Sequence, residues 1–256
     1  MTRIASAIAV TLLAGLIGAP AVRAQSPAQP APDGQMPAAA PAKRTAYYID
    51  PAVLDLIPLI AAPPAPDSEI AKAEFAEDHR LERVRTAQQA AAAQADDREE
   101  DIFIFANVLG PKFDKADLPL TAALSTRVHN DEGVVSGPLK KHYNRPRPFH
   151  LDASLHPICK MDNDPAYPSG HSLSGYLLAY TLAEIVPEKA QEILARADDY
   201  AHNRLVCGVH YQSDAEASRR VGYVMFGYMM ANPRFHEDLA AARAETRAHL
   251  GLPPLS

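Results

Sequence analysis

The 256-residue sequence has no Trp, only two Cys and only 7% aromatic residues, and its Lys and Arg never gather into a long run. That missing basic stretch, with a formal net charge of -6 and a pI near 5.9, removes the electrostatic footprint of a nucleic-acid binder, so no nucleic acid is expected as a partner. Past the N-terminal segment no apolar stretch is long enough to span a bilayer. An alternating strand pattern of any length and an internal repeat are also missing, which excludes β-rich and solenoid architectures. What remains is a chain with 47% hydrophobic residues, much Ala and 23 Pro, the profile of a helical protein with Pro-marked connections. Its length suits one core, so a single-domain, all-α helical bundle is the expectation.

Arg3 precedes an apolar run from Ile4 to Leu16, and Val22-Arg23-Ala24 then offers small residues where a signal peptidase reads, so residues 1–24 are expected to be a signal peptide. The run is too short for a retained spanning anchor, which is the alternative. Residues 25–44, rich in Pro, Ala, Gln and Ser, read as a flexible linker, and residues 45–256 as one catalytic domain. Cleavage implies a periplasmic or secreted protein. In such an oxidising compartment Cys159 and Cys207 have one intramolecular pairing open to them; two buried free thiols are the alternative.

Asp67-Ser68 supplies N-cap chemistry for a single long helix to about Asp97, whose charges read as a solvated face. Further helices are expected at Ile102 to Val108, Pro119 to His129, Glu132 to Tyr143, from near Ser172 through Ile185, from Pro187 past Arg204, at Gln212 to Met230, and at Pro233 to Leu250. The helix after Ser172 is apolar on both sides and should be central.

Three clusters of unusual residues fall in order along this frame. Lys140 to Pro148 gathers cations at a helix end; Arg147 offers a planar fork and Lys140 a point charge, which together suit a dianionic phosphoryl group. A charge-complemented helix cap would explain them equally well in isolation. Pro168-Ser169-Gly170-His171 leads into the central helix, where unpaired N–H groups, the Ser169 hydroxyl and the close approach allowed by Gly170 make an anion site; ordinary capping is the bland reading. In the third, Asn203 to Asp214, His210 and Asp214 lie four apart, so a helix starting at His210 would let Asp214 fix the tautomer of a histidine nucleophile. The same pair could ligate a metal, but no further His at helical spacing and no Asp-rich loop accompany it. No metal or cofactor is expected.

In order and spacing the clusters resemble the phosphatidic acid phosphatase type 2 and vanadium haloperoxidase superfamily signature: K-x6-RP (Lys140, Arg147, Pro148), PSGH (Pro168 to His171) and SR-x5-H-x3-D (Arg204, His210, Asp214). From about Tyr47 onward the chain is similar to class A bacterial non-specific acid phosphatases, notably over Lys141 to Phe149 and Cys207 to Asp214. Asn203 stands where the pattern has Ser, and Tyr211 where class A members have Trp.

The resemblance implies the helical fold of that superfamily and a metal-independent acid phosphatase acting on small phosphate monoesters. His210 would be the nucleophile, oriented by Asp214, with His171 as general acid; Lys140, Arg147, Arg204 and the backbone N–H groups of Ser169 and Gly170 would hold the phosphoryl oxygens. It also implies inhibition by vanadate and phosphate, and homo-oligomers are common in the family. The rival readings are a vanadate-dependent haloperoxidase, an integral membrane lipid phosphatase and an exported phosphate-binding protein without turnover.

Overall fold

The computed structural model describes residues 45–255, so the expected signal peptide and all of the expected linker, residues 1–44, lie outside the described residues. Within them there is no β-strand, as the sequence predicts, and the α-helices are α1 (Glu69–Val84), α2 (Ala87–Asp96), α3 (Ala106–Leu109), α4 (Pro119–Tyr143), α5 (Pro148–Leu151), α6 (Gly170–Ile185), α7 (Ala190–Val206), α8 (Gln212–Met230) and α9 (Pro233–Leu250). No helix among them is long and apolar enough to cross a membrane.

Several expected elements differ: the Ile102 to Val108 helix is a 3-10 turn (Ile102–Phe105) leading into α3, and a 3-10 turn at Pro187–Lys189 precedes α7, which starts at Ala190. Two further boundaries move, each for a local reason. The single helix from Ser68 to Asp97 is broken at Arg85-Thr86. Thr86 takes an extended conformation and caps α2 reciprocally, its hydroxyl accepting from the Gln89 N–H at 3.2 Å and its own N–H donating to Gln89 Oε1 at 2.8 Å. Arg85 meanwhile donates to the carbonyls of Val206 and His156, both at 3.0 Å, which pulls the junction onto the core.

The expected pair of helices at 119–129 and 132–143 is instead one helix, α4, running through Asn130-Asp131 and Pro138. Asp131 does not start a helix because its carboxylate is used elsewhere: it accepts from the N–H groups of Tyr47, Tyr48 and Ile49 at 2.7, 2.7 and 3.0 Å, pinning the start of the described chain to α4.

Helix α6 is the centre, as its pattern predicts. Leu173, Leu177, Leu178, Leu182 and Ile185 are all fully buried, and α6 packs against α4, α7, α8 and α9. Each such side chain contributes on the order of 1.5–3 kcal/mol relative to exposure, so the central helix is the largest single source of core stability. Its closest crossing is with α7 at Gly175, where an added Cβ would lie 2.6 Å from Cδ1 of the buried Tyr200 ring. With α6 held this way, its N-terminal turn meets the C-terminal ends of α4 and α7 and the start of α8, and the three sequence clusters converge there.

Gly175→Ala therefore forces Tyr200 off its seat. The expected outcome is a loss of about 1–3 kcal/mol of unfolding free energy, read as a lower urea midpoint with an unchanged slope. An unchanged midpoint would contradict the close crossing.

Candidate active site

A cavity of about 540 Å³ opens where these helix ends meet. Five of the eight residues expected to bind or react line it: Lys140, Arg147, Gly170, His171 and His210. The other three, Ser169, Arg204 and Asp214, are buried.

His210 lies one residue before the N-cap of α8, not on the helix as the four-residue spacing suggested. Its contact with Asp214 survives because Asp214 is the third residue of α8 and reaches back over the helix start. There Asp214 Oδ2 accepts from the Tyr211 N–H at 3.0 Å and faces His210 Nδ1 at 3.1 Å. On the other side of the ring, Arg147 Nη1 lies 3.1 Å from His210 Nε2. A guanidinium can only donate, so Nε2 is the acceptor and Nδ1 carries the proton toward Asp214. The ring is thus fixed as one tautomer with its lone pair on the cationic side.

Burial holds the His210 pKa well below the ordinary histidine value, and the positive charges of Arg147, Lys140, Arg204 and His171 add to the effect. Asp214 is pushed up to about 6 by burial, against the pull of Arg145 and the Tyr211 N–H.

Arg145 is the residue that sequence reasoning missed in the first cluster. It is buried, donating to Asp214 Oδ1 at 2.6 Å, Ser213 Oγ at 2.7 Å and Glu74 Oε2 at 2.7 Å, with its guanidinium over the Tyr211 ring at 3.9 Å from the centroid. Glu74 in turn accepts from the Ser213 N–H at 2.6 Å, covering the start of α8. Tyr211 is therefore a wall against which Arg145 stacks.

The charges of α1 and α2 are a solvated face only in part: Glu69, Lys72 and Arg80 are exposed as expected, but Glu74, Asp78 and Asp96 are buried. Besides Glu74, Asp96 pairs with Arg196 at 2.6 Å and accepts from Asn203 Nδ2 at 2.7 Å, and Asp97 just beyond α2 pairs with Arg204 Nη1 at 2.5 Å. Asn203 thus uses its amide to tie α7 to the end of α2. The Nε of Arg204 is buried without a hydrogen-bond partner among the described residues. A periodicity argument could not see these acids, because their partners lie about a hundred residues away in sequence.

His171 sits on the first turn of α6 with Nε2 at 3.2 Å from both the Asp97 carbonyl and Glu100 Oε1. Two acceptors on Nε2 place a proton there. Burial lowers the His171 pKa first and the Arg204 charge adds to it, while Glu100 and Asp97 work in the opposite direction.

Ser169 departs from one expectation. Its backbone N–H donates to the Asp214 carbonyl at 3.3 Å, so it does not face the cavity as an anion donor. Its hydroxyl oxygen accepts from the Ser172 N–H and hydroxyl at 3.4 and 3.0 Å, leaving its own O–H to donate. Gly170 opens α6, and its N–H has no intrahelical acceptor.

Cys159 and Cys207 are disulfide-bonded, with 48 residues of separation. The bond ties the 160–165 loop to the segment that carries His210.

With this geometry in hand, the comparisons with known proteins converge. Residues 120–237 match the PAP2 superfamily, and this span contains Lys140, Arg147, the Ser169 to His171 loop, Arg204, His210 and Asp214. The chain is similar to the non-specific acid phosphatase of Salmonella typhimurium, 37% identical over 163 residues covering 60% of this chain and 64% of that protein. It is also similar to an acid phosphatase of Zymomonas mobilis, 35% identical over 151 residues and 55% of each chain. The match thus spans less than two thirds of the length of these curated relatives. Among solved structures, a bacterial vanadium-dependent iodoperoxidase shares the fold with a TM-score of 0.53 and 20% identity, over 67% of this chain and 52% of that one.

The tautomer and the depressed pKa of His210 are directly measurable. Imidazole 15N NMR should find His210 still neutral and protonated on Nδ1 at the pH where an ordinary histidine, with a pKa of about 6.5, takes up its charge. Titration of His210 at the ordinary value would contradict the site as described.

Proposed function

We propose that this chain is an exported, metal-independent acid phosphatase that hydrolyses small phosphate monoesters through a phosphohistidine on His210. One observation carries the reading: His210 Nε2 presents a lone pair beside Arg147 while its Nδ1–H is held by a buried carboxylate, at a cavity that also holds Lys140. A neutral, oriented imidazole is the nucleophile that phosphoryl transfer to nitrogen requires.

Nε2 attacks phosphorus in line with the ester oxygen. The N–P bond forms as the P–O bond breaks, and His171 gives its proton to the departing alkoxide. His171, now neutral, takes a proton from water as that water attacks the phosphohistidine; the N–P bond breaks and phosphate leaves with both histidines restored. Asp214 stabilises the charge that His210 gains on phosphorylation, and Arg145 holds Asp214 in place.

Lys140, Arg147, the Gly170 N–H and the Ser169 hydroxyl would hold the equatorial oxygens, with the unpartnered Arg204 Nε as a further donor. Fixed donors aimed at developing charge supply most of the acceleration in such a site. His210 and Asp214 bond each other instead of converging on a third point, which favours this reading over a metal held between them. The apolar N-terminal run supports export, and the relatives' names support the activity.

With p-nitrophenyl phosphate, activity is expected to rest on protonated His171, to fall as pH rises through a range below the ordinary histidine value because burial lowers the His171 pKa, to be insensitive to EDTA and to be blocked by vanadate. His210→Ala should lose all measurable turnover. His171→Ala should lose about 10²–10⁴-fold in kcat on an alkyl phosphate and less on p-nitrophenyl phosphate, whose leaving group needs no proton. EDTA-sensitive hydrolysis, or equal losses on both esters, would refute the assignment. Peroxide-dependent halide oxidation with vanadate but no hydrolysis would move it to the haloperoxidases.

A further inference from the structure

Two of the cations that line the cavity, Lys140 and Arg147, are paired with one carboxylate. Asp164 Oδ2 lies 2.9 Å from Lys140 Nζ, and Oδ1 lies 2.5 Å from Arg147 Nη2. One carboxyl group therefore spans both cations with separate oxygens, the arrangement expected of two phosphoryl oxygens.

The exposures differ sharply: the Asp164 side chain is 47% exposed, against 11% for Lys140 and 4% for Arg147. Among the described residues the carboxylate bonds nothing else.

The cations, by contrast, have second anchors that do not involve the Asp164 side chain. Lys140 Nζ donates to the Pro165 carbonyl at 2.6 Å, and Arg147 donates to the carbonyls of Asp164 at 2.9 Å and Val209 at 3.2 Å. The loop itself is tied down by the disulfide at Cys159 and by the Ala166 N–H bonding the Arg145 carbonyl at 2.8 Å. Rotation of one side chain toward solvent frees both cations without moving either the cations or the loop.

The carboxylate on Arg204 is built differently. Asp97 is largely buried and also accepts from the Lys160 N–H at 3.0 Å, so it is fixed.

We propose that Asp164 is a specificity-determining carboxylate that competes with the phosphoryl group for Lys140 and Arg147 and must swing out before an ester or phosphate binds. The inference rests on the phosphatase reading above. A dianion displaces a single carboxylate charge with a net gain in attraction, whereas a monoanion gains little, so Asp164 weakens binding of every anion and of singly charged ones most. It also speeds release of product phosphate by offering the cations a replacement partner.

The test is calorimetric titration of inorganic phosphate at pH 7 into His210→Ala, which binds without turnover, and into His210→Ala/Asp164→Asn. Steady-state kinetics of Asp164→Asn and Asp164→Glu accompany it. Expected are a Kd for phosphate about 3- to 10-fold lower in the Asn variant, a matching fall in KM for p-nitrophenyl phosphate without a rise in kcat, and a return toward the parent values in Asp164→Glu. Phosphate binding that is equal or weaker in the Asn variant would show that Asp164 merely orders the cations and would overturn this proposal while leaving the phosphatase reading intact. Absence of phosphate binding in either form would overturn both.

Discussion

The buried carboxylate of Asp214 is the constraint on which the rest of the site depends. It is fully enclosed and accepts from a guanidinium, a backbone N–H and an imidazole N–H at once. Removing one partner from a buried ion pair costs on the order of 3–5 kcal/mol because the remaining charge is left unsolvated. Arg145, Glu74 and Ser213 are therefore as much a part of the geometry that holds His210 as Asp214, although none of them touches the cavity. The fold meets this demand by bringing α1, the end of α4 and the start of α8 to a single point.

The balance of charge follows the same logic. Lys140, Arg147 and Arg204 lie around His210, and their combined field lowers its pKa in the same direction as burial. Each of the three also has a carboxylate of its own: Asp164 for the first two and Asp97 for the third. Burial of bare cations would be prohibitive without these acids. The acids differ in how firmly they are held: Asp97 is largely buried and also accepts from the Lys160 N–H, whereas Asp164 is 47% exposed.

Much of this was legible in the sequence, for identifiable reasons. The central helix was readable because its apolar residues run all round it, and His171 and His210 because they sit in short motifs whose spacing is set locally. What could not be read were relationships between distant segments. Thr86 and Gln89 carry the T-x-x-Q pattern of a capping box, but in a run of good helix formers that pattern alone did not mark a break; Arg85 reaching Val206 and His156 settles it in the folded chain. Asp131 looked like a helix start because its three backbone partners lie more than eighty residues earlier. The acids of α1 and α2 had the composition of a surface face, and only the folded chain shows that Glu74 and Asp96 point inward. His210 met Asp214 by a route other than the helical stagger that suggested it.

Rapid quenching of the protein with 32P-labelled phenyl phosphate tests the central claim most directly. The account predicts a transient phosphoprotein that is labile in acid, stable in alkali and mapped to the peptide containing His210, and absent from His210→Ala. An acid-stable phosphoester, or label on any other residue, would contradict it.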